Sequence, residues 1–337
     1  MNEKKSFSKS TNLPLLKTLK SETPLNQEDI DFIEKQRNEI TDILKGKSDT
    51  FLLIIGPCSI HNIEGIKEYA EKLKKLSTAI SVKFKIVMRA HLEKPRTISG
   101  WKGFIIDPLL NNSYDIDSGI RQSRELLLYL TKKRIPLATE FLDPMICPFI
   151  EEFISLGAIG ARTVESPLQR QMASSLDIPM IFKNSTNGSV DIAINGILAA
   201  REPQHSLTID EDNRLTIQHT KGNKNSFLAL RGSWNNSNYN EETIQYSVKK
   251  LSLKKLCNNI LVDCAHGNCS KSTKTQALIL KDILSNHSPH IKGLMVESYL
   301  EEGSSGESTP SPSKSITDPC LGWDTTEKII LEAYLQN

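Results

Sequence analysis

A chain of 337 residues, 38% hydrophobic and 24% charged, can bury a large core, and its length fits either two ordinary domains or one α/β barrel. A net charge of +2 excludes a generic nucleic-acid or membrane-surface binder, so any strong anion binding has to come from a local cluster. The polar start "MNEKKSFSKSTN" lacks the apolar core of a signal peptide, no apolar run approaches the roughly 20 residues of a membrane span, and the six cysteines show no framework spacing. A cytoplasmic protein with reduced thiols is expected.

The first readable element is "TPLNQEDIDFIEKQRNEITDILKG". It predicts a helix that starts near Asn26, carries an apolar face through Ile30, Ile33, Ile40 and Ile43, and stops at Gly46. Residues 1–45 therefore read as an N-terminal arm and helix ahead of a main unit, 46–337. From residue 51 a short apolar run followed by a helical stretch repeats. The runs are "FLLIIG" (51–56), "FKIVMR" (84–89), "IPLATEF" (135–141), "AIGART" (158–163), "IPMIFK" (178–183), "FLALRG" (227–232), "NILVDCAH" (259–266) and "GLMVES" (293–298). Near-continuous apolarity is what parallel strands covered on both faces require. Before the sixth run, "LTIDEDNRLTIQHTKGNKN" reads as an inserted β-hairpin. Eight strands alternating with helices predict a (β/α)8 barrel, a TIM barrel with an N-terminal helical extension. The alternative, a doubly wound open sheet, lacks the G-x-G-x-x-G that would support it.

In such a barrel the reactive groups gather at the C-terminal ends of the strands. Those ends hold Cys58 and His61, Arg89 followed by Lys94 and Arg96, Glu140, Arg162, Lys183, Arg231, His266 and Glu297, with Asp318 in a later loop. A lone arginine after a strand is ordinarily a surface ion pair, and a lone cytosolic cysteine a small buried apolar group. Six cations (Arg89, Lys94, Arg96, Arg162, Lys183, Arg231) on one rim are harder to dismiss. Such crowding is costly unless anions bind there, and two phosphates of about −1.5 to −2 each plus a carboxylate would balance it. Two small anionic substrates are expected.

A second subset, Cys58, His266, Glu297 and Asp318, offers one thiolate, one imidazole and two carboxylates, a set suited to a first-row divalent ion. Within "LVDCAHGNCS", His266 stands between Cys264 and Cys269, but a local four-ligand zinc clip would want a further pair that does not follow. The competing reading is a Cys–His hydrolase with Cys58 or Cys264 as nucleophile and His266 as base, which leaves the cations without a purpose. A silent metal- or phosphate-binding regulator would leave both subsets without chemistry.

The motifs "GPCSIH", "EKPRT-x-x-GWKG", "EFLD", "GAIGART-x-ES", "FKN", "LRG", "MVES" and "KSITD-x-C-x-GW" occur in this order between about residues 45 and 325. Together they resemble the type I 3-deoxy-D-arabino-heptulosonate 7-phosphate (DAHP) synthases, the microbial subclass with an N-terminal extension. The resemblance implies a (β/α)8 barrel that joins phosphoenolpyruvate to erythrose 4-phosphate, the first step of the shikimate pathway to chorismate and the aromatic amino acids. By motif position it implies divalent-metal ligands at Cys58, His266, Glu297 and Asp318, with Mn, Fe, Co and Zn all suitable. It implies a phosphoenolpyruvate site at Arg89, Lys94, Arg162, Lys183 and Arg231, with Arg162 and Arg231 on the phosphate. It places the aldehyde phosphate on Arg96 and Thr97; a relative using another phosphosugar aldehyde would differ there. Lys94, His266 and Glu140 are candidates for proton relay, and a homo-dimer or homo-tetramer is implied.

Several positions depart from the family pattern. Ser185 and Asn187 stand in "FKNSTNG" where a glycine and an aspartate are usual, Pro319 replaces a small residue, and Ala265 and Cys269 replace serines. Ser185 would be strained if its backbone needed positive φ. Relatives are commonly inhibited by an aromatic amino acid bound near the arm and the hairpin. The hairpin here lacks the familiar aromatic version and Asp177 stands where serine is common, so weakened or altered feedback inhibition is expected.

Overall fold

Two helices precede the first strand in the computed structural model, which describes residues 11–234 and 236–336. The first ten positions of the expected N-terminal arm lie outside these residues. Helix α1 (Leu16–Glu22) was not foreseen, because seven residues are too few for periodicity to speak. Helix α2 (Gln27–Leu44) starts where expected. The Asn26 side chain accepts from the Asp29 N–H and the Asp29 carboxylate accepts from the Asn26 N–H, a reciprocal cap that satisfies two otherwise orphaned donors.

The eight apolar runs form β1 (Phe51–Gly56), β2 (Phe84–Arg89), β3 (Leu137–Glu140), β4 (Leu156–Ile159), β5 (Met180–Lys183), then, after the hairpin strands β6 (His205–Ile209) and β7 (Leu215–His219), β8 (Ser226–Leu230), β9 (Ile260–Asp263) and β10 (Ile291–Tyr299). All pairings are parallel except the β6–β7 hairpin, and β1 pairs with β10 to close the barrel. A two-residue strand, β11 (Leu321–Gly322), pairs in parallel with the C-terminal end of β10. Helices α3 (Ile63–Ala79), α4 (Ile116–Lys132), α5 (Pro167–Ser175), α6 (Val190–Arg201), α7 (Glu241–Leu253), α8 (Thr273–Ser285) and α9 (Trp323–Gln336) complete the chain, with two 3-10 turns at Cys147–Phe149 and Glu151–Phe153. Strand β4 ends earlier than "AIGART" suggested, because the chain turns at Gly160, whose carbonyl accepts from the Thr163 and Val164 N–H groups. No described helix is long and apolar enough to cross a membrane.

The period of two along each strand explains where the chemistry sits. On β1, Leu53 and Ile55 pack outward with the helices, while Leu52 and Ile54 join an inner cluster with Val87, Ala138, Ala158, Ile181, Ala229, Leu261 and Met295. The C-terminal end of α2, through Ile40, Ile43 and Leu44, belongs to that inner cluster and stops one end of the barrel. Two residues further along six of the eight strands, the same inward face presents Arg89, Glu140, Lys183, Arg231, Asp263 and Glu297, while β1 and β4 place Gly56 and Gly160 there. The apolar plug thus passes directly into a charged layer.

Candidate active site

Three cations and three carboxylates make up the charged layer, and most of them are paired. Arg89 is 1% exposed and its Nη2 lies 2.8 Å from Glu297 Oε1, while its Nε donates to the Pro57 carbonyl at 3.1 Å. Lys183 Nζ lies 2.8 Å from Asp263 Oδ2, both groups buried. Burial alone would raise the Asp263 carboxyl, yet His266, Lys183 and Arg89 hold it well below its ordinary value. Glu140 leans over Gly160, where a Cβ would come 2.1 Å from Glu140 Oε1, so only glycine leaves the carboxylate its place.

The expected donor set is largely assembled. Ligand atoms of Cys58, Glu297 and Asp318 lie within 4.8 Å of one another. His266 stands at the edge of this group, its Nε2 3.5 Å from Glu297 Oε1 and its Nδ1 2.9 Å from Asp263 Oδ2, off the line of a straight hydrogen bond. Its backbone is left-handed, at φ 56°, a conformation that non-glycine residues adopt mainly where the surroundings enforce it. Cations already lie against the donors: Lys94 Nζ is 2.7 Å from Cys58 Sγ and 3.6 Å from Asp318 Oδ2, and Lys271 Nζ is 3.0 Å from Asp318 Oδ1. Burial pushes the Cys58 thiol up, with Glu297 adding to the rise and Lys94 opposing it. Burial would likewise raise Asp318, but Lys94 and Lys271 bring it below the usual carboxylate range. One sulfur and two carboxylates with cations against them, and an imidazole adjoining Glu297, fit a borderline divalent ion.

Arg96 and Thr97 lie further out, on the loop after β2. Arg96 pairs with Glu307 and donates from Nε to the Trp101 carbonyl at 2.7 Å. Arg162 is exposed, and its Nε reaches Thr97 Oγ1 at 3.3 Å. Arg162 and Arg231 share a pocket with Arg89, Lys94, Glu140, Lys183 and His266. The same two arginines also line an adjoining cavity of about 270 Å³ that reaches Glu297 and Asp318. Internal carboxylates therefore neutralise four of the six cations: Arg89, Lys94, Arg96 and Lys183. The expectation that the whole cluster demands external anions is too strong. Among the described residues only Arg162 and Arg231 of the six have no ion-pair partner.

Several site residues escaped the sequence reading. Asp263 lies inside "LVDCAHGNCS" itself, and the inward period that carries Leu261 into the core could have found it. His91 lines the pocket with its Nε2 buried and without a partner. Burial, then Arg89 and Lys183, hold its pKa well below the ordinary value, which favours the neutral form. Burial pushes the Glu93 carboxyl up to about 8, and its Oε2 accepts from the Leu142 N–H at 3.3 Å. His61, by contrast, turns away to the Ser311 carbonyl at 2.8 Å. Ser185 is not among the described residues with positive φ, so its backbone is unstrained, and its hydroxyl donates to Asn187 Oδ1 at 2.6 Å. Cys264 is fully buried in the outer core and Cys269 lies in the loop beyond, its thiol 3.8 Å from the His266 carbonyl.

Fold and site together define a (β/α)8-barrel enzyme whose open rim suits small anionic substrates. The family model described as "DAHP synthetase I family" matches residues 22–331, and the chain belongs to that family. It is 40% identical to the phenylalanine-inhibited phospho-2-dehydro-3-deoxyheptonate aldolase of Saccharomyces cerevisiae, over 93% of this chain and 88% of that protein. It is 42% identical to the Trp-sensitive phospho-2-dehydro-3-deoxyheptonate aldolase of Escherichia coli, over 88% and 87% respectively. The structure of the phospho-2-dehydro-3-deoxyheptonate aldolase of Francisella tularensis superposes with a TM-score of 0.95 at 37% identity, covering 98% of both chains.

Proposed function

We infer that this chain condenses phosphoenolpyruvate with D-erythrose 4-phosphate and water to DAHP and phosphate, opening aromatic amino acid biosynthesis, with residues 46–337 as the catalytic barrel and 1–45 as its arm. The observation that carries the reading is the pair Arg162 and Arg231. They are the two rim cations left without an internal carboxylate, they line one pocket, and Arg231 is pushed below its ordinary pKa by burial and by Arg162. Two such guanidinium groups call for a phosphate. Lys94 and Lys183 would then face the carboxylate of phosphoenolpyruvate, with Arg89 behind them, and Arg96 and Thr97 would take the aldehyde's phosphate.

Holding two mutually repelling anions in register is much of the catalytic task, and these cations perform it. A bond forms between the methylene carbon of phosphoenolpyruvate and the aldehyde carbon of erythrose 4-phosphate. Water adds to the enol carbon, and phosphate leaves from the resulting tetrahedral centre. A divalent ion held by Cys58, His266, Glu297 and Asp318, whether Mn, Fe, Co or Zn, supplies Lewis-acid polarisation of the aldehyde carbonyl when bound. Lys94, His266 and Glu140 are the candidates for proton relay, and His91 adds a buried nitrogen on the same pocket. Loss of the enolpyruvate absorbance with both substrates and Mn²⁺, abolished by chelator, is the expected result. No turnover with any divalent metal overturns the reading.

A cavity of about 660 Å³ lies between α1, the first 3-10 turn, α5 and the hairpin, with Lys20 and Glu151 among its lining and no Phe, Tyr or Trp among the described residues that line it. We propose it as the seat of an amino acid effector, with a response to phenylalanine, tyrosine and tryptophan weaker than the names of the relatives suggest. Ser206, Gln218 and His205 give the hairpin wall a polar character; Asp177 is exposed and does not line it. Initial rates with each aromatic amino acid test this, and strong inhibition by any one defeats it. A cytoplasmic homo-dimer or homo-tetramer is the assembly we propose.

A further inference from the structure

We propose that Glu307 sets the affinity for erythrose 4-phosphate by holding, while that substrate is absent, the Arg96 guanidinium that the substrate's phosphate must take. This rests on the reading of Arg96 and Thr97 as the aldehyde-phosphate site.

Two loops face each other across the rim. The loop 93–103 carries Lys94, Arg96 and Thr97, and it is pinned at its base by the Glu93–Gly103 bridge and by the Lys94 N–H donating to the Lys102 carbonyl at 2.9 Å. The loop 303–320 carries Glu307 and Asp318. It is pinned by bridges between Gly303 and Cys320 and between Ser304 and Ser315, and by Ser304 Oγ donating to the Thr317 carbonyl at 2.8 Å. With both bases fixed, the contact between the loops is made by side chains that are only partly buried.

The Glu307 carboxylate grips the first loop twice. Oε1 accepts from Arg96 Nη2, and Oε2 accepts from the Trp101 N–H at 3.1 Å. Gly100, at φ +122°, turns the chain back beneath this contact; a Cβ there would stand 3.2 Å from Arg96 Cζ and 3.4 Å from Glu307 Oε1. The Glu307 side chain is 36% exposed and that of Arg96 23%, so the carboxylate can return to water at modest cost. A phosphate arriving in its place carries up to about two charges instead of one. It also meets a second donor, since the Thr97 hydroxyl, next to Arg96 in the chain, accepts from Arg162 Nε at 3.3 Å and keeps its own proton to give. Exchange of carboxylate for phosphate is therefore downhill, but the binding of erythrose 4-phosphate is weakened by the ion pair it has to break.

Glu307→Gln keeps an acceptor for the Trp101 N–H and removes the charge. The KM for erythrose 4-phosphate is expected to fall by about two- to five-fold, the scale of an exposed ion pair, and inorganic sulfate should become a stronger competitor against that substrate. The KM for phosphoenolpyruvate is the internal reference. An unchanged or raised KM for erythrose 4-phosphate, or an equal fall in both constants, overturns the proposal. If Glu307→Ala raises that KM while Glu307→Gln lowers it, the hydrogen bond to Trp101 is structural and the charge is the lock, as proposed. Arg96→Ala separates the two levels of argument. A raised KM for erythrose 4-phosphate there, with no effect of Glu307→Gln, removes the lock alone. No effect of Arg96→Ala removes the site reading, and the lock with it.

Discussion

Replacing Cys58 by alanine is expected to lower metal-supported turnover by at least about two orders of magnitude, the scale seen when even the outer partners of metal ligands are removed, whereas Cys264→Ala and Cys269→Ala keep most of the activity. The contrast follows from position. Cys58 Sγ is the one sulfur in the donor group with Glu297 and Asp318. Cys264 is buried among apolar side chains, so its loss costs roughly 1 kcal/mol of packing. Turnover measured across a Mn²⁺ titration, with metal content after dialysis, gives the answer. Full activity in Cys58→Ala refutes the ligand assignment. A Cys–His hydrolase reading also loses activity in Cys58→Ala, but it has no reason to respond to chelator. Its geometry is poor as well, since Cys58 Sγ lies against Lys94 and Asp318 while His266 faces Asp263 and Glu297.

Asp263→Asn is expected to destabilise the fold by about 3–5 kcal/mol, because it leaves Lys183 buried without its counter-charge. Turnover should fall as well, since the same carboxylate lies 2.9 Å from His266 Nδ1, and its charge would be lost beside that ring. Denaturant unfolding and steady-state kinetics measure the two effects separately. The pH dependence has a definite sign. In the folded state the Asp263 carboxyl is held well below its value in the unfolded chain, about 3.9. Its contribution is therefore complete above that value and is lost as pH falls through the folded one. Acid unfolding of the parent protein should steepen below about pH 4, and Asp263→Asn should flatten that limb. An Asn variant as stable as the parent would mean that Lys183 finds another partner.

The barrel was legible because its signal is repeated: eight apolar runs, each followed by polar residues, became eight parallel strands in sequence order. A start near Asn26 and the apolar spacing of Ile30, Ile33, Ile40 and Ile43 announced α2, and two short runs around "DEDN" announced the hairpin. What stayed hidden was local or relational. Helix α1 is held by tertiary contacts, such as Leu16 N–H donating to Asn213 Oδ1 at 3.0 Å, rather than by a pattern of its own. The end of β4 depends on a turn at Gly160 that an apolar run does not mark. The counter-ions were the larger omission. Reading arginines and lysines at strand ends found the cations, but Asp263 and Glu307 become their partners only once the closing barrel sets β5 and β9 on either side of β8 and two distant loops meet. Glu297 was read as a donor to metal and is also the partner of Arg89.

The plug formed by Ile40, Ile43 and Leu44 makes the barrel a cul-de-sac. Both substrates must come in, and both products go out, by a single doorway, and loops 93–103 and 303–320 stand on its two sides. Departing phosphate consequently travels past the guanidinium groups that greet the next incoming molecule. Traffic through this opening, more than bond making, is where a build-up of product should first be felt.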